Sequence, residues 1–488
     1  MRPLCIYNNL MKNRRKKSES SRKTIPPSQK TKKTKDPLGR APNRLLYSFA
    51  FILTYPMSKL FFRLDYGRKD FTLPKGPFLI VANHSTMLDF LFVMLPFYPR
   101  KINAVVTNRY FFSRPLKQIL PTMGCIPKNQ FEPDVLSIKR IISVIKRGGI
   151  ILLFPEGRCS NDGTLAGIHT ATGKLVKHLG VPVISCYIDG ASSCVPHWRK
   201  GFRPGRIHVS VSELFSADDT RTLSADEIND AICAKLRGDG KKSYLKPTGP
   251  VCERKLAQGL ERVLFWCPLC NKEYTTRSKN NEIMCTSCGF RAKLDRHGNL
   301  SSLGYGCCSN LVGDAPLCIP RVAEGCAPCL ASSKSPLTAN AMECTSLHGD
   351  FANEKIPKNI HEWYIAQSKH LSSGLSETMA PIIKDVTIQV TTSKPDDALL
   401  KNGSGALTLD PKGWTFNGKL DGVDTMLFFP IETVPAIPFE YNGDFLIYAH
   451  SNIYRFNSND NLPGTKTALL GELAHQKFAP KPLLTKGR

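Results

Sequence analysis

Ile150-Ile151-Leu152-Leu153-Phe154-Pro155-Glu156-Gly157-Arg158-Cys159-Ser160 joins an apolar run to a turn rich in charge and glycine. An uninterrupted apolar run bounded by turn residues reads as a strand buried on both faces, and Pro155 marks where it leaves the sheet. Just before it, residues 134–147 place Val135, Ile138, Ile141, Ile142 and Ile145 at helical spacing, with Pro133-Asp134 as a start signal and Gly148-Gly149 as a stop. The alternation continues in both directions. Strands are expected at 77–82, 102–107, 150–154, 181–187 and 206–211, and helices at 88–97, 111–120, 134–147, 166–178 and 225–236. Such βα alternation predicts an α/β fold with a largely parallel sheet flanked by helices, whose ligands bind where the strands end.

A second string leaves a strand in the same way. Asn83-His84-Ser85-Thr86-Met87-Leu88-Asp89 follows the apolar run 77–82. Histidine can take a proton from an alcohol near neutral pH if a carboxylate fixes its tautomer and steadies the imidazolium. On one continuous helix, His84 and Asp89 would point about 140° apart. They meet if His84 sits in the turn and Ser85 or Thr86 caps a helix whose first turn carries Asp89. With no serine or cysteine read as a nucleophile beside it, the pair is expected to act as a dyad on a bound hydroxyl. A capped, structural histidine would leave the same short pattern. In the other string, Gly157 allows close backbone approach and Arg158 offers a fork matched to phosphate oxygens. A phosphorylated substrate is the natural occupant, and a turn with a solvated arginine the plain alternative.

Taken together, in this order and at this separation, the two strings resemble the glycerolipid acyltransferase superfamily, specifically its 1-acylglycerol-3-phosphate (lysophosphatidic acid) acyltransferases. The resemblance spans roughly residues 45 to 215. It implies that His84 and Asp89 are the catalytic pair and that Glu156, Gly157 and Arg158 bind the acceptor's phosphate. Gly124-Cys125-Ile126-Pro127-Lys128 stands where the family carries a basic residue, usually arginine, that helps hold the glycerol phosphate; here Lys128 supplies only a point charge. Val181-Pro182-Val183-Ile184-Ser185 matches the family's fourth block, which implies that Pro182 helps shape the acyl site. The implied activity moves a fatty acyl group from acyl-CoA or acyl-carrier protein to the free hydroxyl of 1-acylglycerol-3-phosphate, making phosphatidic acid for phospholipid biosynthesis. Glycerol 3-phosphate and other lysophospholipids are the alternative acceptors.

Charge and hydropathy place the chain. Its 488 residues suggest two to three domains, and its net charge of +27 favours an anionic surface as partner. Residues 1–44 hold 14 Lys or Arg against Glu19 and Asp36, with few large apolar side chains, and are expected to be a disordered basic tail. No apolar stretch follows the first basic residues closely enough to make a signal peptide, which points to the cytoplasmic face of a membrane. Residues 45–66 form an apolar segment interrupted by Pro56 and Lys59, expected to enter the membrane interface; a helix packed on the domain is the alternative. The acyltransferase domain itself is expected over 67–245.

Cysteine spacing marks a separate module over 260–300. Cys267-Pro268-Leu269-Cys270 and Cys285-Thr286-Ser287-Cys288 can supply four thiolates to one tetrahedral zinc, a structural site with no open position. This looks like a zinc ribbon; two disulfides would need an oxidising compartment. Residues 301–355, with Cys307, Cys308, Cys318, Cys326, Cys329 and Cys344, read as an insertion or loop. From 356 to 475 a short helix near 361–370 precedes a small antiparallel β domain, with strands at 386–392, 405–409, 413–417, 425–429, 444–449 and 452–456. Asn402-Gly403, Asn417-Gly418, Asp421-Gly422 and Asn442-Gly443 are its expected turns. A basic tail plus a ribbon would also suit a protein that binds nucleic acid or docks on other proteins. The tail, however, has no aromatic residue between Tyr7 and Tyr47, and that reading leaves the paired strings unexplained.

Overall fold

The computed structural model describes residues 38–480 except 69–70, 113–114, 238–254, 306–355, 377–381, 393–399, 441 and 459–463. The basic tail up to residue 37 and most of the cysteine-containing stretch 301–355 lie outside the described residues.

Phe78–Ala82 is buried at every position, and its side chains divide by pleat: Phe78, Ile80 and Ala82 join one apolar cluster while Leu79 and Val81 join another. That two-sided burial makes it a central strand. In chain order the domain runs α1 (Arg44–Phe62), β1 (Asp65–Arg68), β2 (Phe78–Ala82), α2 (Asp89–Met94), β3 (Ile102–Thr107), α3 (Leu116–Thr122), β4 (Ile126–Lys128) and α4 (Val135–Lys146). It continues through β5 (Ile150–Leu153), α5 (Ala171–Leu179), β6 (Val183–Asp189), β7 (His208–Phe215) and α6 (Ala225–Leu236). The sheet order is β1-β7-β6-β2-β5-β3-β4, and β6, β2, β5, β3 and β4 run parallel while β7 opposes β6. Because β2 and β5 are neighbours, the loops that leave them emerge side by side at the carboxyl edge.

The expected α/β architecture is the observed one, with local differences. The helix expected over 88–97 is α-helical for six residues and then tightens to a 3₁₀ turn at Leu95–Phe97, where Pro96 offers no N–H. The helix expected from 111 starts at Leu116, behind Pro115. Helix α1 runs unbroken through Pro56, whose exposed position puts the lost hydrogen bond on the outer side. One face of α1 is fastened to the domain: Tyr47 is buried and its hydroxyl accepts the Ile102 N–H at 3.3 Å, and Phe51 stacks on Tyr98. The other face leaves Leu45, Phe49, Ile52, Leu53 and Leu60 at least 60% exposed. By length and composition α1 could cross a membrane.

The rest of the chain is built on two antiparallel sheets. The first takes β8 (Thr276–Lys279), β9 (Glu282–Cys285), β10 (Phe290–Leu294) and β11 (Leu300–Tyr305) in the order β11-β10-β9-β8. After α7 (Ile360–Ser373) come β12 (Ile382–Thr392), β13 (Lys401–Asp410), β14 (Gly413–Leu420), β15 (Val423–Pro430), β16 (Phe445–Ala449), β17 (Asn452–Ser458) and α8 (Gly464–Phe478). Their sheet order is β15-β14-β13-β12-β17-β16. One apolar cluster joins the two modules, and α7 is its rivet. Gln367 accepts the Phe265 and Trp266 N–H groups and donates to Val263 O, while Trp363 Nε1 donates to Trp266 O.

Two expected turns are strand interior instead. Asn402-Gly403 lies in β13 and Asn417-Gly418 in β14, and Asp421-Gly422 alone turns between β14 and β15. The glycines serve close approach. Gly405 faces Gly418 across the ladder, and a Cβ on Gly418 would sit 2.3 Å from Ser404 O. Gly418→Ala should therefore cost about 2 kcal/mol, seen as a lower midpoint in chemical denaturation; an unchanged midpoint would show that these strands do not need the contact.

Candidate active site and cysteine cluster

His84 leaves β2 in a loop held from three sides. Asn83, just ahead of it, exchanges two hydrogen bonds with the Ile188 backbone, at 2.9 and 2.7 Å, anchoring the turn to β6. Glu156, in the loop after β5, accepts the His84 N–H at 2.6 Å through one oxygen and the Ala166 N–H at 2.7 Å through the other. Ser160 N–H donates to His84 O at 2.8 Å. The second string therefore braces the first.

His84 Nδ1 and Asp89 Oδ2 are 3.0 Å apart, and Asp89 is wholly buried. That carboxylate also accepts from the Ser85 and Thr86 N–H groups at 2.6 and 2.8 Å and from the Thr86 hydroxyl at 2.7 Å. Neither Ser85 nor Thr86 is the helix cap that the sequence suggests. Leu88 precedes the helix with no side-chain cap, and Asp89, as its first residue, organises the turn by gathering donors. An acceptor-only partner on Nδ1 puts the imidazole proton there and leaves Nε2 as the basic atom. Burial presses the imidazole toward its neutral form. The Cys159 thiol and Asp89 outweigh that and hold its pKa well above the ordinary 6.5.

Cys159, two positions after Gly157, was not read as part of this site, yet its Sγ lies 3.6 Å from His84 Nε2. The dyad thus has a thiol beside it. Phe154 stacks on the imidazole from the same loop, with ring centroids 4.3 Å apart.

The residues expected to hold phosphate divide. Glu156 spends both oxygens on backbone N–H groups, so it braces the loops and is not placed to meet an anion; burial pushes its carboxyl up to about 7 against those bonds. Gly157 has φ 71° and its carbonyl accepts from Gln130. Arg158 is partly buried and engaged: Nη2 donates to Glu472 of α8 at 2.8 Å and Nη1 to Asn161 at 2.9 Å. Lys128, at the end of β4, reaches the Asn129 and Glu132 carbonyls, and burial lowers its pKa. Pro182 stands elsewhere. Its carbonyl accepts the Leu79 N–H at the amino end of β6. Leu79 lies near the amino end of β2, whereas His84 follows its carboxyl end.

Elements of the C-terminal half complete the wall. Tyr364 of α7 accepts from Asn161 at 2.9 Å, and His361 pairs with Asp162 at 2.7 Å, which raises the His361 pKa. Glu440 pairs with Arg109 at 2.7 Å. A cavity of about 80 Å³, lined in part by Ser85, Asp162, Asp189, Arg203 and His361, opens between these modules. No signal in the sequence links Glu472, Tyr364 or His361 to the two strings.

Breaking the buried Arg158–Glu472 pair leaves an unmatched guanidinium. Glu472→Gln should lose about 3 kcal/mol of stability, while Arg158→Met with Glu472→Leu should recover most of it, both read by urea denaturation. A single variant as stable as the parent would mean that the pair is not isolated from water.

Apart from this site, Cys267, Cys270, Cys285 and Cys288 converge with all four sulfurs within 4.8 Å of one another. The pairs Cys267–Cys288 and Cys270–Cys285 are each 3.7 Å apart. Four thiolates about 2.3 Å from a central ion lie about 3.8 Å from each other in a tetrahedron, so the group fits a metal and these cysteines are free thiols, not disulfides.

Residues 64–189 match the model of the acyltransferase family. The chloroplastic 1-acyl-sn-glycerol-3-phosphate acyltransferase BAT2 of Brassica napus is 25% identical over 192 residues, which cover 38% of this chain and 54% of that one. The chloroplastic enzyme LPAT1 of Arabidopsis thaliana is 24% identical, covering 33% of this chain and 45% of that one. The Bacillus subtilis 1-acyl-sn-glycerol-3-phosphate acyltransferase is 23% identical, over 33% of this chain and 78% of that one. The crystal structure of PlsC from Thermotoga maritima, a 1-acyl-sn-glycerophosphate acyltransferase, aligns at TM-score 0.34 and 17% identity, over 41% of this chain and 79% of that one. The chain spans about half the length of the plant relatives it matches. Residues 64–189, which carry His84 and Asp89, are thus similar to the acyltransferase family.

Proposed function

We propose that this protein is a membrane-associated O-acyltransferase that moves a fatty acyl group from a thioester, acyl-CoA or acyl-carrier protein, to the free hydroxyl of 1-acylglycerol-3-phosphate, forming phosphatidic acid. The observation that carries the reading is the His84–Asp89 pair at the carboxyl edge of a parallel sheet. Asp89 holds the proton on Nδ1, and Nε2 takes the proton of the acceptor hydroxyl as that oxygen attacks the acyl carbonyl. The buried Asp89, through its four hydrogen bonds, keeps the imidazole from rotating and offsets the charge it gains.

One observation favours a second acceptor class. Of the two cations expected to hold phosphate, Arg158 is committed to Glu472 and Lys128 meets backbone carbonyls. A single lysine matches the one negative charge of a phosphodiester better than a phosphomonoester dianion, so other lysophospholipids stand beside 1-acylglycerol-3-phosphate as acceptors.

Further parts of the reading concern support and place. The four-cysteine cluster would hold a structural zinc, since no coordination position is left for water. Chelation of the purified protein should release about one zinc per chain and unfold β8–β11 cooperatively; metal-free protein with an unchanged melting curve would refute it. The exposed face of α1 would rest in the membrane interface on the cytoplasmic side, helped by the basic tail on anionic headgroups.

Acyl transfer from a long-chain acyl-CoA in mixed micelles tests the function, with lysophosphatidic acid, lysophosphatidylcholine and glycerol 3-phosphate in parallel. His84→Ala should lower the rate at least about a thousandfold without loss of fold; a variant within a few-fold of the parent would sink the assignment. The raised His84 pKa adds a sign. Only the neutral imidazole takes a proton, so the rate should climb with pH past 6.5 and level off above the folded pKa. A rate already flat below that pH would mean that His84 is not the titrating base.

A further inference from the structure

Between the parallel sheet and the C-terminal modules lies the cavity of about 80 Å³. Three parts of the chain build most of its wall: the loop after β6, which brings Trp198 and Arg203; the turn between β10 and β11; and the start of α7, with Asn359 and Ile360. Ser85, the residue after His84, belongs to the same wall. A volume of this size holds a few waters or one tetrahedral oxyanion.

Arg203 is the unmatched group in that wall. It is 6% exposed, and among the described residues no carboxylate pairs with it. Its Nη2 donates to Leu256 O at 2.7 Å and its backbone N–H to Cys194 O at 2.7 Å, which fixes the side chain at both ends, while Nε is buried without a partner. Burial pulls its pKa down to about 10, and Arg199 adds repulsion. Trp198, 4% exposed, likewise has an indole N–H with no partner. A buried cation and a buried donor left unmatched beside one polar cavity cost stability unless something fills it.

The carboxylates in the wall are engaged elsewhere. Asp162 meets His361 at 2.7 Å and accepts from the Thr164 hydroxyl at 2.8 Å. Asp295 accepts from the Asn299 backbone at 2.8 Å and its side-chain amide at 2.9 Å, and Asp189 is not free either. The amino end of α7, a helix of 14 residues, adds the positive end of its dipole. What stands unmatched is positive, so the occupant that fits is an anion. Arg158, paired with Glu472, and Lys128, on backbone carbonyls, are both occupied, which leaves the need for such a cation beside the dyad loop unmet elsewhere.

We propose that this cavity is an oxyanion site in which Arg203, with the Trp198 indole, holds a phosphate group of a substrate. The inference rests on the acyltransferase reading, in which the lysophospholipid acceptor and acyl-CoA both carry phosphate. A phosphate held there ties its substrate to the wall that contains Ser85, and makes the turn between β10 and β11 and the start of α7 part of the binding site.

The test uses the full chain, with inorganic phosphate as the first probe. Phosphate, compared with chloride at equal ionic strength, should raise the melting temperature of the parent, and Arg203→Met should lose most of that rise. Trp198→Phe removes only the indole donor; it guards against an Arg203 variant that fails to fold, and should show a smaller rise while melting like the parent without phosphate. In acyl transfer, Arg203→Met should raise the KM of a phosphate-bearing substrate at least about tenfold, with the loss falling on KM more than on kcat. Arg203→Lys, which keeps the charge without the fork, should fall between. A higher KM for lysophosphatidic acid assigns the phosphate to the acceptor. A higher KM for acyl-CoA, with no such change for an acyl-pantetheine donor that lacks phosphate, assigns it to the donor.

An Arg203→Met protein with the parent's full response to phosphate and both KM values within about twofold of the parent's would overturn the inference and leave the acyltransferase reading intact. A parent without acyl transfer whose phosphate response still needs Arg203 would remove the acyltransferase reading and leave the oxyanion site.

Discussion

A single carboxylate ties the site together. Glu156 is almost wholly buried, and its two oxygens bind the N–H groups of His84 and Ala166, so the loops after β2 and β5 share one anchor. Two loops that leave neighbouring strands start close but are otherwise free to splay. The anchor removes that freedom where the imidazole must be fixed, and Ser160 closes the other side. Asp89 can then orient a ring whose backbone is already set. The proline and glycine around Glu156 follow from the same demand: Pro155 ends the strand, and Gly157 takes the left-handed φ that the tight return requires.

The C-terminal half is the second determinant. Its helices α7 and α8 contribute Tyr364, His361 and Glu472 to the loop 158–162, and Glu440 meets Arg109 from the same side. Two arginines of the acyltransferase domain, Arg109 and Arg158, are each neutralised by one of this half's carboxylates. The charge along the loop 158–162 is therefore set by a separate part of the chain. The segment just ahead of the ribbon-like sheet acts further back, with Phe265 and Trp266 holding α7 through Gln367 and Trp363.

What could be read from the sequence follows the physics of each element. The central strands β2, β3 and β5 were legible because double-sided burial demands unbroken apolar runs. The edge strands β1 and β4 were not, since Asp65-Tyr66-Gly67-Arg68 and Ile126-Pro127-Lys128 are short and polar or proline-bearing. Helix α8 hid because it is buried almost all round, Thr465, Thr467 and Glu472 included, and so shows no apolar stripe. The Asn-Gly pairs in β13 and β14 carry a hairpin signal for a different need, close strand approach. His84 and Asp89 could be brought together on paper because a turn and one helix start suffice. Cys159 is 75 residues from His84 and Tyr364 is 203 from Asn161, and no local rule reaches that far.

The Arg158–Glu472 pair also orders events in time. It closes over 314 residues, and bringing together the ends of so long a loop costs about 5 kcal/mol of chain entropy beyond the constant for short loops. Such a contact forms late, after the sheets on both sides have paid most of that cost by folding. Until then the arginine is an uncompensated charge in a half-built wall, exposed to water. The parallel sheet can thus assemble early from its own apolar runs, while the wall beside the dyad is finished only when the last helix docks. A ribosome-bound or proteolysed chain lacking α8 would carry the dyad without the completed site.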